Sequence, residues 1–248
     1  MDLGIGGKRA AVAASSRGLG FATAAALAGE GVHVAMCSRD KERIEAAAGR
    51  IGELATPIVA DLSAPDGASD FVAAARDRLG GVDILVANAG GPPPGDFASI
   101  TSVESYTDAF SLNALSTIAM CQSCVPEMQE RGWGRVVAIT SIAVRQPIGS
   151  LILSNTARAG LTGFLKTLAR EVARDGVTVN SLQPGLHATE RVAQLHGEGA
   201  DPAAGIPAGR IGEPEEFGAV AAFLCSQQAA YLTGCAIPVD GAAYGGLQ

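Results

Sequence analysis

A short glycine-containing segment near the amino end has the residue types of a phosphate-binding turn. It follows the apolar run RAAVAA and reads Ala14-Ser15-Ser16-Arg17-Gly18-Leu19-Gly20. A sharp strand-to-helix turn without bulky side chains lets backbone N–H groups approach a diphosphate, which the positive end of the helix dipole then stabilises. Two glycines mark any tight turn, but their position directly after a first strand favours a dinucleotide. We therefore predict that this turn binds the diphosphate of a dinucleotide.

Arg39 stands at the end of the second apolar run, where folds of this kind recognise the ribose 2′ position. A guanidinium offers a bidentate fork to a 2′-phosphate, with Arg17 as a second cation, whereas a carboxylate would accept a hydrogen bond from a bare 2′-hydroxyl. The residues at this position therefore favour NADP(H) over NAD(H). The alternative is that both arginines are solvated surface charges and that Asp40 contacts the ribose.

Seven apolar runs alternate with longer segments of helical period: RAAVAA, VHVAMC, TPIVA, DILVA, RVVAIT, VTVNSL and AIPV. Strands that are apolar throughout are buried on both faces by crossover helices, so the pattern predicts a doubly wound, Rossmann-type α/β domain over residues 1–248, with a mainly parallel seven-stranded sheet. Further side chains at strand ends are then expected near the adenosine: Asp61 and Leu62 at the adenine, and Asn88, Ala89 and Gly90 at the ribose.

Two of the predicted helices, near 102–129 and 150–174, are longer and more apolar than a solvent-facing helix needs. Apolar surface of this kind is typically covered by a second subunit. We expect a homo-oligomer, a dimer or a tetramer, that assembles through these helices.

Composition and charge exclude several classes of partner. The net charge is −7 and there is no basic run, so a nucleic-acid partner is not expected. No apolar stretch approaches the roughly 18 residues of a membrane span, and the amino end lacks a signal-peptide pattern. The five cysteines are scattered through apolar segments, and Cys121-x-x-Cys124 is best interpreted as core packing. These features predict a cytoplasmic protein.

Several motifs spread over the whole chain resemble those of the short-chain dehydrogenase/reductases, most closely of their β-ketoacyl-carrier-protein-reductase-like branch. Besides the glycine turn they are Ala87-Asn88-Ala89-Gly90, Ser111-Leu112-Asn113, Thr140-Ser141, Gln183-Pro184-Gly185, Arg210-Ile211-Gly212-Glu213-Pro214-Glu215-Glu216 and Pro238-Val239-Asp240-Gly241. The resemblance implies that Pro184 and Gly185 contact the cofactor. One departure is that Ala13-Ala14 replaces the Thr-Gly of the family's glycine turn.

The resemblance also implies a catalytic site in which Ser polarises a carbonyl, Tyr transfers the proton, Lys holds the nicotinamide ribose and Asn assists. Asn113 and Ser141 match the Asn and Ser, although each residue type also satisfies local backbone groups. The Tyr and Lys positions hold Ser154 and Arg158, an arrangement that resembles an atypical Tyr-less subgroup of the family. An aliphatic hydroxyl is a far weaker acid than a phenol with a pKa near 10, and an arginine stays protonated, so Arg158 is suited to positioning or to oxyanion stabilisation.

Two other side chains follow strand ends and are candidates for substrate contact or proton donation. Arg145 comes shortly after Ser141, and His187 follows Pro184-Gly185; a histidine titrates near neutral pH, but a lone loop histidine is more often a bystander. The segment at about 188–210 is rich in Gly, Ala and Pro and is predicted to form a small lid over a small-molecule or carrier-bound substrate.

Three functions are consistent with these residues. The leading one is an NADP(H)-dependent oxidoreductase acting on a carbonyl/alcohol or related C=X group, with hydride chemistry supplied by the cofactor. The second is a cyclase, isomerase or dehydratase that retains the dinucleotide and stabilises an enolate-like charge, an alternative that the missing Tyr favours. The third is a binding subunit without catalysis, because fold does not fix function.

Overall fold

The computed structural model describes residues 1–190, 192 and 201–247. Those residues form a seven-stranded sheet in the order β3-β2-β1-β4-β5-β6-β7, and each pair of neighbouring strands is parallel. The predicted doubly wound, Rossmann-type architecture is therefore confirmed. The strands are β1 Arg9–Val12, β2 His33–Ser38, β3 Ala55–Val59, β4 Ile84–Ala87, β5 Gly134–Ile139, β6 Val177–Pro184 and β7 Ala236–Val239.

Helices cover both faces of the sheet. Their bounds are α1 Gly18–Gly29, α2 Lys41–Ile51, α3 Pro65–Leu79, α4 Val103–Phe110, α5 Ser116–Glu130, α6 Ile152–Val172 and α7 Pro214–Leu224. Helices α1, α2 and α7 enclose one apolar core, and α3, α5 and α6 enclose the other. Short 3₁₀ turns follow β5 and α6, at Ile142–Val144 and Ala173–Asp175.

The two cores follow directly from the apolar runs. Successive side chains of a strand point to opposite faces, so Val136 and Ala138 of β5 enter the core of α3, α5 and α6, whereas Val137 and Ile139 enter the core of α1, α2 and α7. The candidate site lies at the carboxyl ends of these strands, where Arg158 reaches the carbonyls of Ile139 and Thr140.

The stretch predicted as one helix near 102–129 is interrupted in the structure. Helix α4 ends at Phe110, and a π-helical segment, Ser111–Leu115, leads into α5. A π-helical turn contains one more residue than an α-helical turn and is common at functional sites. The interruption lies at Asn113, one of the predicted site residues.

Cys121 and Cys124 lie inside the core, as expected, and the five cysteines are free thiols. Burial raises the pKa of the Cys121 thiol to about 12, so this thiol stays protonated at neutral pH. No helix in the described part of the chain combines the length and the apolar character needed to cross a bilayer.

Candidate active site

The glycine turn between β1 and α1 is closed too tightly to admit a side chain at Gly20. A Cβ placed there would lie 2.5 Å from the Ala14 carbonyl oxygen and 2.8 Å from Asn88 Nδ2. Gly18 has a φ of +58°, and Ala14, which replaces the first glycine of the family pattern, also has a left-handed φ, of +46°. Ala14 therefore retains the shape of the turn, at a cost in backbone strain.

The amino end of α1 is prepared for an anion. Its N-cap residue is Arg17, no side chain of the described residues caps the helix, and its first turn contains no acidic residue. The first N–H groups and the positive end of the helix dipole thus face the turn, and the carboxylate that approaches it, that of Glu190, is paired with Arg17. This arrangement fits the diphosphate of a dinucleotide, and binding at this turn stays a prediction.

The other residues of the turn differ in their surroundings. Ser15 is fully buried; its hydroxyl donates to the Val12 carbonyl (2.7 Å) and accepts from the Cys37 N–H (3.2 Å), which joins β1 to β2. Ser16 is partly exposed beside it, and Leu19 packs against the core of α1, α2 and α7. Of these three residues, Ser15 is thus inside the protein, whereas Ser16 and Leu19 are each partly exposed.

Arg39 is exposed at the tip of β2, where the sequence predicts contact with a ribose 2′ group. Asp40, the alternative ribose ligand, instead caps α2 by accepting the Arg43 N–H at 3.0 Å, and pairs with the Arg43 side chain at 3.6 Å. The predicted second cation, Arg17, forms an ion pair with Glu190. Of these three arginines, Arg17 and Arg43 are paired with carboxylates, and Arg39 is exposed at the tip of β2.

Asp61 and Leu62 follow β3 at the same edge. The pKa of Asp61 is lowered by hydrogen bonds from the Ser63 backbone and side chain, and to a smaller extent by the positive charge of Arg39. Leu62 is buried in the core of α3, α5 and α6. The Asp61 carboxylate therefore stays ionised next to Arg39, on the side where adenine is predicted.

Two asparagines connect the glycine turn to the π-helical segment. Asn88 donates its Nδ2–H to the Ala14 carbonyl (3.2 Å), and Asn113 donates its Nδ2–H to the Gly90 carbonyl (2.9 Å). Ala89 lies between these two contacts. The Oδ1 of Asn113 is buried and has no hydrogen-bond partner among the described residues. Asn88 thus supports the turn, and Asn113 retains an acceptor for a group that is not part of the described chain.

Ser141, Ser154 and Arg158 gather near the carboxyl end of β5. Arg158 is only 8% exposed, and its Nη1 donates to the carbonyls of Ile139 (2.9 Å) and Thr140 (3.2 Å). Its Nε lies 3.3 Å from the Ser154 hydroxyl. The Ser141 hydroxyl accepts the Ala143 N–H at 3.1 Å, which leaves its own proton able to point toward a substrate.

These contacts place a permanent cation and two hydroxyls around one strand end. The guanidinium is held rigidly by backbone carbonyls, so it can fix a ribose or stabilise an oxyanion. It cannot cycle a proton near neutral pH. The geometry therefore supports positioning and charge stabilisation by Arg158, and places the Ser154 hydroxyl beside it.

His187 and Arg145 are directed elsewhere. The His187 ring packs edge-on against Phe217 of α7, at 5.4 Å between centroids, so it lies on the face of the sheet opposite Arg158. Burial lowers its pKa, and the ring is therefore neutral at pH 7. Arg145 donates to the Ala236 carbonyl (2.5 Å) and lies 5.7 Å from the Tyr244 ring centroid. The structure thus brings neither side chain to Ser154.

The Pro184-Gly185 turn closes the carboxyl end of β6. Gly185 donates its N–H to the Val239 carbonyl (3.0 Å), and a Cβ on it would lie 2.7 Å from the Asp240 Cβ. The turn is therefore packed against the segment that ends β7. The predicted lid at about 188–210 falls partly outside the described residues, which omit 191 and 193–200.

Three residues near the site were not predicted from sequence. Thr189 lies 3.6 Å from where a Gly18 Cβ would be, and Glu190 pairs with Arg17. Gln183 is 1% exposed and neither polar atom of its side chain has a partner among the described residues. The contacts of Thr189 and Glu190 join segments some 170 residues apart, so the local sequence does not indicate them. Gln183 could have been predicted, because a polar residue at the end of an apolar strand is in a buried position.

Comparison with known proteins gives matches over nearly the whole chain. Residues 13–243 match a family model described as Enoyl-(Acyl carrier protein) reductase. The chain is 37% identical over 245 residues to Dehydrogenase/reductase SDR family member 4 of Bos taurus, covering 94% of this chain and 86% of that protein. It is 32% identical over 239 residues to 3-oxoacyl-(acyl-carrier-protein) reductase FabG of Vibrio cholerae, covering 96% and 98%.

A solved structure agrees with these sequence matches. L-sorbose reductase from Gluconobacter frateurii, complexed with NADPH and L-sorbose, superposes with a TM-score of 0.91 at 32% identity, over 100% of both chains. The resemblance inferred from the motifs is thus confirmed at the level of the family. The chain belongs to the short-chain dehydrogenase/reductase family of oxidoreductases.

Proposed function

We propose that the protein is an NADP(H)-dependent oxidoreductase that acts on a carbonyl/alcohol or related C=X group, with Ser154 and Arg158 at the usual Tyr and Lys positions. The observation that carries this proposal is the buried Arg158 guanidinium, held by the Ile139 and Thr140 carbonyls next to the Ser154 hydroxyl. A fixed cation at this strand end is suited to the nicotinamide ribose and to an oxygen that gains negative charge.

The chain's own residues assign a place to each part of the dinucleotide. The N–H groups at the start of α1 would hold the diphosphate, Arg39 the 2′-phosphate, and Arg158 the nicotinamide ribose. The bound dinucleotide supplies hydride. Ser141 would donate its hydroxyl proton in a hydrogen bond to the substrate carbonyl, and Asn113, through its unpartnered Oδ1, would orient a water or a substrate hydroxyl.

The proposed preference for NADP(H) over NAD(H) rests on the tip of β2. Asp40 is occupied as the cap of α2, and the exposed Arg39 is left to meet a 2′ group. A guanidinium–phosphate pair is charge-assisted and bidentate, whereas Arg39 has no anionic partner on NAD(H) at that position. The similar L-sorbose reductase was solved with NADPH, which agrees with this preference.

One assay tests the function. The purified protein is titrated with NADPH, and nicotinamide absorbance is then followed with a panel of 3-oxoacyl thioesters, ketoses and simple ketones. Consumption of NADPH with formation of an alcohol supports the proposal. Coenzyme binding without consumption, on every member of the panel, contradicts it.

A second candidate is favoured by one specific observation, the aliphatic hydroxyl at Ser154. Such a hydroxyl is too weak an acid to replace a phenol directly, which suits a cyclase, isomerase or dehydratase that needs only a stabilised enolate-like charge beside Arg158. Mass spectrometry of the products in the NADPH absorbance assay identifies this alternative, if a product forms while no NADPH is consumed.

The proposed assembly is a homo-oligomer, either a dimer or a tetramer, that uses the α4–α6 side of the molecule. Val103 at the start of α4 is 80% exposed and Leu115 at the end of the π-helical segment is 42% exposed, which is apolar surface that a second subunit would cover. Free cysteines support a proposed location in the reducing cytoplasm. Light scattering coupled to size exclusion tests the assembly: a mass of about 25 kDa, that of one chain, would contradict it.

A further inference from the structure

The side chain of Gln183 presents an unsatisfied polar group inside the protein. It is the last residue before Pro184-Gly185 and is 1% exposed. Neither its Oε1 nor its Nε2 has a hydrogen-bond partner among the described residues. A carboxamide offers two donors and an acceptor oxygen, and leaving all of them unpaired in an apolar interior is strongly unfavourable. The amide is therefore expected to bond a group outside the described residues.

The register of the sheet places Gln183 beside Thr140, whose carbonyl holds Arg158. Ile139 of β5 is paired with Leu182 of β6, so Gln183 lies opposite Thr140. Alternation along β6 puts Gln183 on the same face as Val179, which packs in the core of α3, α5 and α6. The Thr140 carbonyl accepts a hydrogen bond from Arg158. Gln183 thus emerges on the α6 face, beside the carbonyl that holds the guanidinium.

We propose that the Gln183 carboxamide and the Ser154 hydroxyl hold an ordered water, and that this water donates the proton that a phenol would otherwise supply. The inference rests on the proposed function. Gln183 is a positioning residue, because it acts through the water. The Ser154 oxygen already accepts a contact from Arg158 Nε, so its own proton can be donated to the water.

In a carbonyl reduction at this site, the reduced dinucleotide would supply a hydride to the carbonyl carbon and would itself be oxidised. A C–H bond would form while the C=O π bond breaks and its electron pair moves to oxygen. That oxygen takes a proton from the water, which gives the alcohol and hydroxide. The hydroxide is stabilised by the positive charge of Arg158 and is reprotonated from bulk solvent. Water is a poor acid by itself, so the adjacent fixed cation is essential to this route.

A crystal structure of the unmutated protein with NADP⁺ at high resolution tests the water directly, without turnover. A water within about 2.7–3.2 Å of both the Gln183 amide and the Ser154 hydroxyl supports the inference. A Gln183 amide that bonds only protein or coenzyme atoms, with no water, overturns it.

Kinetics test the role of the water. Gln183→Met keeps the length of the side chain and removes its polar atoms. We expect kcat to fall about 100-fold, the lower end of what a positioned proton donor contributes, with KM and the Kd of NADPH unchanged. Introducing a phenol by Ser154→Tyr should abolish the effect of Gln183→Met. The proposal is contradicted if Gln183→Met lowers kcat equally in the wild type and in Ser154→Tyr, or if it changes only KM. Gln227→Met, on an exposed residue, is the matched control.

The two levels of failure are distinguishable. A protein that consumes no NADPH with any substrate refutes the proposed function and with it the proton donation. A protein that turns over, and does so at full rate as Gln183→Met, refutes only this inference. If Gln183→Met does not fold, as judged by circular dichroism, the crystallographic water decides the inference.

Discussion

The left-handed backbone of Ala14 in the glycine turn leads to a prediction about stability. Ala14 has a φ of +46°, a conformation in which the Cβ of an L-residue crowds its own backbone, at a cost of about 1–2 kcal/mol. Ala14→Gly removes this crowding. The neighbouring Ala13 is fully buried and lies outside the left-handed region, so Ala13→Gly is the matched control.

Comparing the two variants isolates the strain. In both variants glycine increases the conformational entropy of the unfolded chain, which lowers the free energy of unfolding by about 0.4–1 kcal/mol. This contribution cancels when the two variants are compared with each other. Ala13→Gly also loses a fully buried methyl group, worth about 0.8 kcal/mol, whereas Ala14 is only partly buried. Ala14→Gly should therefore be about 2–3 kcal/mol more stable than Ala13→Gly, which corresponds to roughly 4–12 °C in Tm.

Urea denaturation and thermal scans of both variants without coenzyme measure this difference. We expect Ala14→Gly to equal or exceed the wild-type free energy of unfolding, and Ala13→Gly to fall below it. Equal destabilisation of the two variants would refute the strain argument.

Three further predictions concern the site and its supports. Gly20→Ala should weaken NADPH binding at least about tenfold, because its Cβ would lie 2.5 Å from the Ala14 carbonyl oxygen. The control is Gly49→Ala, in open space on α2, which should leave the calorimetric Kd of NADPH unchanged. Burial lowers the pKa of His187 below its unfolded value near 6.5, so the unfolded chain binds its proton more tightly. The contribution of His187 to stability is then full above about pH 6.5 and is lost as the pH falls toward the lowered pKa. His187→Gln should therefore make Tm depend less on pH over that range, and an unchanged dependence of Tm on pH contradicts this. Asp83→Asn removes the negative charge and one of the two oxygens that accept the 2.7 Å bonds from Arg9, and should cost about 2–3 kcal/mol in urea denaturation; a loss under about 1 kcal/mol contradicts the pairing.

The sheet and the shape of the glycine turn were predictable because their signals are local. Runs of apolar residues buried on both faces admit few other structures, and each predicted run contains an observed strand or overlaps one closely. The turn was predictable because Gly18 and Gly20 meet requirements of φ and of close approach that other residues do not meet. The positions of Ser154 and Arg158 followed from the family resemblance, and the structure places the two side chains in contact.

Other features depend on contacts that no local pattern encodes. The π-helical segment at Ser111–Leu115 contains no Pro or Gly, so nothing distinguishes it from the helices on either side. The pairing of Arg17 with Glu190 joins segments distant in sequence, and the packing of His187 against Phe217 depends on where α7 lies. A residue at a strand end can point to either face of the sheet, and for His187 and Arg145 only the folded structure determines which.

Calorimetric titration of the wild type and of Arg39→Ala with NADPH and with NADH tests the central claim, that the turn and Arg39 together bind a 2′-phosphorylated dinucleotide. We expect the wild type to bind NADPH more tightly than NADH, and Arg39→Ala to lose about 10- to 100-fold in affinity for NADPH alone, as one charge-assisted bidentate contact implies. Arg50→Ala, another exposed arginine, should bind both coenzymes like the wild type. Absence of heat with either coenzyme at about millimolar concentration (a binding free energy weaker than roughly −4 kcal/mol), or an unchanged preference in Arg39→Ala, would contradict the account.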